Sequence, residues 1–204
     1  TTLFRSIQIF HQYRLLHQAR ARPLPVLSRL GDGDKYGQRT SSIAHTHVWT
    51  DAFGHLRTHT PGLCLRDFHA QNLFWLPERD GQARVGLIDF QDALFAHPAY
   101  DLASLLEDAR RDVDPELRAP MLQRFCDKAG LKYDAAFEAA YSVTAAQRNA
   151  KILGIFVRLA ERDGKPRYRS LIPRVKAHFQ RDLAHPACAE LRGWFDTHVP
   201  EALQ

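Results

Sequence analysis

Methionine is nearly absent from this 204-residue sequence: Met121 is the only one, and the chain opens on Thr1. A natural start is therefore not expected at position 1. The opening Thr1–Ser6, TTLFRS, resembles what one reading frame of a sequencing adapter would encode, and it is set aside as a scar. Cysteine is almost as scarce. Cys64, Cys126 and Cys188 are far apart, odd in number and outside any C-x-x-C pair, which excludes a disulfide framework and a zinc site and leaves reduced, structural thiols. Long apolar runs are lacking too. The longest, Ile152–Val157, falls far short of the roughly 20 residues a membrane span needs, and no signal-peptide pattern is present, so a cytoplasmic setting is expected. Charge of one sign is nowhere gathered into a block. The net charge is +5, but lysine and arginine are interspersed with acids, which suits a phosphate-handling enzyme and gives no reason to expect a nucleic-acid partner.

What remains is an ordinary globular composition, 45% hydrophobic and 25% charged, long enough for one domain or for one lobe of a larger enzyme. Residues 7–60 read as a poorly defined remnant with helices: one at Ile7–Ala19, then the Gly-, Ser- and His-rich Gly31–His47. Within His47–His59 the spacing of Trp49, Phe53 and Leu56 predicts a helix ending at Pro61-Gly62. The period then changes. Leu63 and Leu65 alternate with Cys64, and Leu73–Leu76 and Arg84–Ile88 read as two strands joined through the Asp80-Gly81 turn signal.

After Pro98 every segment reads as helix. Leu102, Leu105, Leu106 and Ala109 make one apolar stripe; Asp114-Pro115 starts a helix with Leu117, Met121, Leu122 and Phe125 facing inward and Gly130 as its stop. Asp134 precedes a long pattern through Phe137, Tyr141, Thr144, Ile152, Phe156 and Leu159 that ends at Asp163-Gly164, and helices near Ser170–Leu183 and Ala187–His198 close the chain. Trp75, Trp194 and Phe195 are expected in the core, and His97 and His185, each before a proline, in turns.

Chemistry concentrates in Leu65–Asp92, LRDFHAQNLFWLPERDGQARVGLIDFQD. Asn72 stands just before one strand and Asp89 just after the next, and in an antiparallel hairpin the start of the first lies beside the end of the second. An amide oxygen and a carboxylate are hard donors suited to Mg2+, which completes its shell with water and substrate phosphates. Asp67, on the loop ahead of them, is placed to orient a substrate hydroxyl and take its proton as a phosphoryl group moves. His69 is expected to brace the loop.

The run Asp67, His69, Asn72 with the later Asp89-Phe90-Gln91-Asp92 resembles the catalytic and metal-binding motifs of the aminoglycoside phosphotransferase and choline kinase superfamily, H-x-D-x-H-x-x-N. Leu65 departs from that pattern, standing where many relatives have histidine. The segments GLIDFQDALFAHPAYDLASLLEDARRDV and QRNAKILGIFVRLAERDGKPRY look more narrowly like the anomeric N-acetylmuramate/N-acetylglucosamine kinases of bacterial cell-wall recycling. The resemblance implies an α+β fold: residues 61–204 as the mainly helical C-lobe of a protein-kinase-like enzyme with a small β-hairpin, and an N-lobe missing from this chain. Gly31-Asp32-Gly33-Asp34-Lys35 is too unlike the ATP-gripping loop to stand in for it. Implied with the fold are ATP as co-substrate, Mg2+ held by Asn72 and Asp89, Asp67 as catalytic residue, and Arg66, His69 and Asp101 in support.

The acceptor implied is the C1 hydroxyl of an amino sugar, with Asp92 and Arg148 as residues that touch it and with the fragment itself inactive. On the bland reading Asp101 is only a partner of its helix dipole, and Arg148, Lys151, Arg158 and Arg162 form a solvated basic face. The alternatives kept open are an aminoglycoside- or choline-type acceptor and a non-catalytic basic binding module.

Overall fold

The computed structural model describes residues 42–203, with side chains described from residue 47 onward. The adapter-like Thr1–Ser6, the helix expected at Ile7–Ala19 and the Gly31–Lys35 stretch lie outside the described residues. The described chain is mostly helical and carries two short antiparallel ribbons, the α+β arrangement expected. The first helix, α1, runs Ser42–Ala52 and tightens into a 3-10 segment at Phe53–Thr58, so the segment expected as a single helix from His47 to His59 changes pitch partway.

The ribbons are nested. β1 (Gly62–Cys64) pairs with β4 (Leu94–Ala96), and between them in sequence β2 (Leu73–Trp75) pairs with β3 (Val85–Leu87). One antiparallel pair enclosed by another brings the two connections between them, residues 65–72 and 88–93, alongside each other. Only the inner hairpin was legible from the sequence; β4 was not.

The helices follow: α2 (Ala99–Leu106), α3 (Arg118–Ala129), α4 (Ala135–Glu161), α5 (Ile172–Leu183) and α6 (Ala189–His198). Asp134 caps α4, its Oδ1 accepting the N–H groups of Ala136 and Phe137, each at 3.1 Å. Gly130 ends α3 at a φ of +67°, and the Leu131 N–H turns back to the Cys126 carbonyl at 2.9 Å. The 27 residues of α4 span about 40 Å and form the shared wall of two apolar clusters. On one side Ala140, Val143, Ala146 and Leu153 meet Trp49, Phe53, Val175, Phe179 and Phe195. On the other Phe137, Tyr141 and Ala145 meet Leu102, Leu106, Leu122 and Cys126. Six buried alanines on α4, at 139, 140, 145, 146, 150 and 160, let the neighbouring helices approach closely. All three cysteines are free and buried, and burial pushes the thiols of Cys64 and Cys188 up to about 12, which fits inert structural roles.

Three expectations about burial need correction. Trp75 is 66% exposed, not core: the inner hairpin leaves one side of the ring to solvent and the Arg84 guanidinium lies 5.8 Å from its centroid. Leu117 and Met121 face outward, because Leu122 and Cys126 take the buried side of α3. His97, by contrast, stands at the turn expected before Pro98, its carbonyl accepting the Tyr100 N–H at 3.0 Å; it is wholly buried, edge-on to His59 and tilted against Phe137, and its Nδ1 accepts the Ala99 N–H at 3.1 Å. Arg148 is buried in the middle of α4, whereas Lys151 and Arg158 are half-buried and Arg162 exposed, so the four form no common solvated face.

Candidate active site

The two connections brought together by the nested ribbons contain most of the residues singled out above. Within the first, the Asp67 N–H donates to the Leu65 carbonyl, the His69 N–H to the Asp67 carbonyl, both at 3.0 Å, and the Asn72 N–H to the His69 carbonyl at 2.9 Å. These tight turns hold the exposed Asp67 side chain at the tip of a compact loop. Asn72 then ties the two connections. Its Nδ2 donates to the Asp67 carbonyl at 2.9 Å and to Asp89 Oδ2 at 3.4 Å, although Asp89 is 17 residues away. Its amide oxygen takes part in neither bond. Ladder pairing supports the approach, since the Ile88 N–H reaches the Asn72 carbonyl at 3.1 Å. Asp89 Oδ1 accepts from Gln91 Nε2, and Arg66 Nη1 reaches the Asp92 carbonyl at 3.5 Å.

Two residues here hold the left-handed backbone usually left to glycine: Arg66 at a φ of 72° and Asp89 at 60°. They are the only non-glycine examples among the described residues. Such conformations cost on the order of 1–3 kcal/mol each and persist where the surroundings enforce them, aspartate tolerating them better than arginine. For Arg66 the enforcement is visible. Asp101, in the first turn of α2, accepts the Leu65 N–H on Oδ2 at 2.7 Å and the Arg66 N–H on Oδ1 at 2.9 Å, while Ser104 Oγ donates to the Arg66 carbonyl at 3.2 Å. Asp101 is thus a clamp on the loop and more than a dipole partner. Burial pushes its carboxyl up from the ordinary range, opposed by those two N–H groups and by the charge of Arg148.

His69 is half-buried, and burial, helped by the nearby Arg110 charge, pulls its imidazole below the usual value against Asp108 and Asp67. Its main chain makes two of the loop's turn bonds, and its buried Nδ1 has no hydrogen-bond partner. Among the described residues no group of three or more His, Cys, Asp or Glu side chains could hold a metal ion. A site of one carboxylate and one amide, such as Asp89 with Asn72, is nonetheless the sparse protein contribution that Mg2+ accepts when phosphates and water supply the rest.

Arg148 does not join the loops directly. Its Nε donates to Ser104 Oγ at 2.9 Å and its Nη1 to the Glu107 carbonyl at 3.3 Å, so two of its guanidinium nitrogens are engaged in the interior of the fold. Its neighbour Asn149 donates through Nδ2 to Glu107 Oε2 at 2.6 Å and to Asp182 Oδ2 at 2.8 Å, and the Tyr141 hydroxyl donates to Glu107 Oε1 at 3.0 Å. Asp182 is held well above the carboxylate range, by burial first and by the Glu107 charge second. Ser104, Glu107, Asn149 and Asp182 were not singled out from the sequence. The available signal was the polar stripe Asp101, Ser104, Glu107 at helical spacing opposite the apolar one, facing the adjacent polar pair Arg148-Asn149 in an alanine-rich helix.

The profile of the phosphotransferase enzyme family (APH) matches residues 12–141. A protein of Caulobacter vibrioides named N-acetylmuramate/N-acetylglucosamine kinase is 54% identical over 137 residues, covering 67% of this chain and 38% of that protein. Proteins of the same name are 39% identical over 122 residues in Neisseria meningitidis serogroup B (57% and 35% of the two chains) and 35% identical over 134 in Pseudomonas aeruginosa (62% and 38%). The matched stretch of this chain thus spans under two-fifths of the length of each of these relatives.

Proposed function

We propose, on the premise that this chain belongs to the phosphotransferase enzyme family, that it carries the catalytic loop of an ATP-dependent sugar kinase acting on N-acetylmuramate or N-acetylglucosamine at the C1 hydroxyl. The observation that carries the reading is the junction made by Asn72, whose amide joins the Asp67 loop to Asp89 at 2.9 and 3.4 Å. In the proposed reaction the sugar hydroxyl oxygen attacks the γ-phosphorus of ATP, the bond to the bridging oxygen breaks, ADP leaves, and the hydroxyl proton passes to the Asp67 carboxylate. Asn72 and Asp89 would hold Mg2+, which when bound neutralises charge on the phosphate oxygens. Asp101 acts through the loop backbone by keeping Arg66 in its left-handed conformation, which fixes the direction in which Asp67 leaves the chain. Asp92, beside Arg66 and following the Asp89 turn, is the residue we assign to the sugar.

We further assign the described helical body and its ribbons, residues 61–203, to the lobe that bears the catalytic loop, and none of the described residues to the grip on the ATP phosphates. Leu63, Phe74, Ile88, Phe90 and Phe95 stand exposed on the ribbons and the turn after them, and these uncovered apolar side chains support a second lobe of the same protein closing over the nucleotide there. A cytoplasmic setting, where ATP is available, belongs to the same proposal; no helix among the described residues is long and apolar enough to cross a membrane.

The test is Asp67→Asn in the full-length protein that carries this chain. Turnover should fall by about a thousandfold or more while Mg-ATP binding persists. A panel of amino sugars, aminoglycosides and choline, each with labelled ATP, identifies the acceptor. Unchanged turnover removes Asp67 from the chemistry.

A further inference from the structure

A chain of polar contacts runs from the middle of α4 to the loop. We infer that Arg148 and Ser104 form a positioning relay that sets the orientation of the Arg66–Asp67 peptide, a role that rests on Asp67 being the catalytic residue. Arg148 lies 82 positions after Arg66, yet only one hydroxyl separates them: Arg148 Nε to Ser104 Oγ is 2.9 Å, and Ser104 Oγ to the Arg66 carbonyl is 3.2 Å.

The physical reason lies in the serine hydroxyl, which has one proton and can rotate among three staggered positions. A guanidinium N–H occupying its lone pair leaves the proton to point at the Arg66 carbonyl, and the positive charge polarises the O–H so that it donates more strongly. Arg148 is fixed in turn, because Nη1 is held by the Glu107 carbonyl at 3.3 Å and the residue is buried. Arg66 is the residue that needs such control. Its φ of 72° is unfavourable for arginine, and its carbonyl belongs to the peptide plane from which Asp67 emerges. Asp101 secures the N–H side of this turn, at Leu65 and Arg66; Ser104 with Arg148 secures the carbonyl side. A lysine at 148 keeps the charge but, as a single ammonium, does not reproduce the fork that reaches both Ser104 and Glu107.

The experiment uses Ser104→Ala, Arg148→Lys and Arg148→Met in the full-length protein, read by amide hydrogen exchange and by steady-state kinetics. Ser104→Ala should speed exchange of the Arg66–His69 amides by about tenfold, a local opening that leaves the Ala145–Leu153 amides of α4 at their original rates. In the same variant kcat should fall by roughly 10- to 100-fold, as expected of a displaced catalytic group, with KM for sugar and ATP little changed. Arg148→Met should match it and Arg148→Lys should recover part of the loss. Loop exchange unchanged in Ser104→Ala overturns the relay, and so does equal acceleration of loop and α4, which would make the contact one of general stability. If exchange responds locally but neither parent nor variant phosphorylates a sugar, the relay stands and the kinase reading fails.

Discussion

In the helical body Phe137, Tyr141 and Phe179 are fully buried, whereas on the ribbons Leu63, Trp75 and Phe95 are each about two-thirds exposed. The first region is held by apolar area, which is non-directional and collectively large. The second has only a small apolar cluster, Cys64, Leu94 and Ala96 against Tyr100, and relies more on directed polar bonds; it contains both left-handed non-glycine residues among those described. The contrast locates stability and chemistry in different places. The loop with Asp67 need not be stable alone, since it is hung from α2 by Asp101 and Ser104.

That division can be broken from either side. Phe137→Ala strikes the body where rings from His59, His97, Phe125 and Tyr133 converge, and it should cost about 3–5 kcal/mol by urea denaturation. A loss under 1 kcal/mol would mean that α4 is not the shared wall. Asp101→Asn strikes the link. It removes a charged acceptor from two backbone N–H groups, should cost about 1.5–3 kcal/mol locally, and should lower kcat more than it lowers the melting temperature. Equal sensitivity of the two would mean that stability and chemistry share one set of contacts.

Acid probes the join between ribbons and body. Burial pulls His97 from 6.5 down to about 3, so the unfolded chain takes up a proton below pH 6.5 that the folded chain refuses until about 3. Stability is therefore full above pH 6.5 and falls with acid through that window, by up to about 1.4 kcal/mol per pH unit. Urea midpoints between pH 7 and 5 should show the slope, and His97→Gln should flatten it; an unaltered slope would assign the acid sensitivity elsewhere. Gly130→Ala is the mildest change. The φ of +67° strains any side chain although a methyl would meet nothing within 4 Å, so the cost should be about 1 kcal/mol by thermal melting, with kinetics untouched.

The parts legible in the sequence were those encoded locally. The inner hairpin announces itself through two apolar runs about the Asp80-Gly81 turn, and Asp67, His69, Asn72 and Asp89 stand at motif spacing. β4 was not legible because three residues hold too little alternation to distinguish a strand, and its partner β1 lies some thirty positions back. The burial of Arg148 was hidden for a related reason. A charged residue on a helix reads as exposed until its partners are known, and here they lie 41 and 44 positions away. Trp75 misled in the opposite sense, since its size argues for burial but its ribbon supplies no second layer on that side among the described residues.

Because α4 presents one flank to each apolar cluster, its register is fixed twice over. Inserting or deleting one residue would rotate everything beyond it by about 100° and withdraw side chains from both clusters at once. Length variation along a lineage of such proteins should therefore be found in the connecting segments, with the number of residues between Asp134 and Arg162 kept constant.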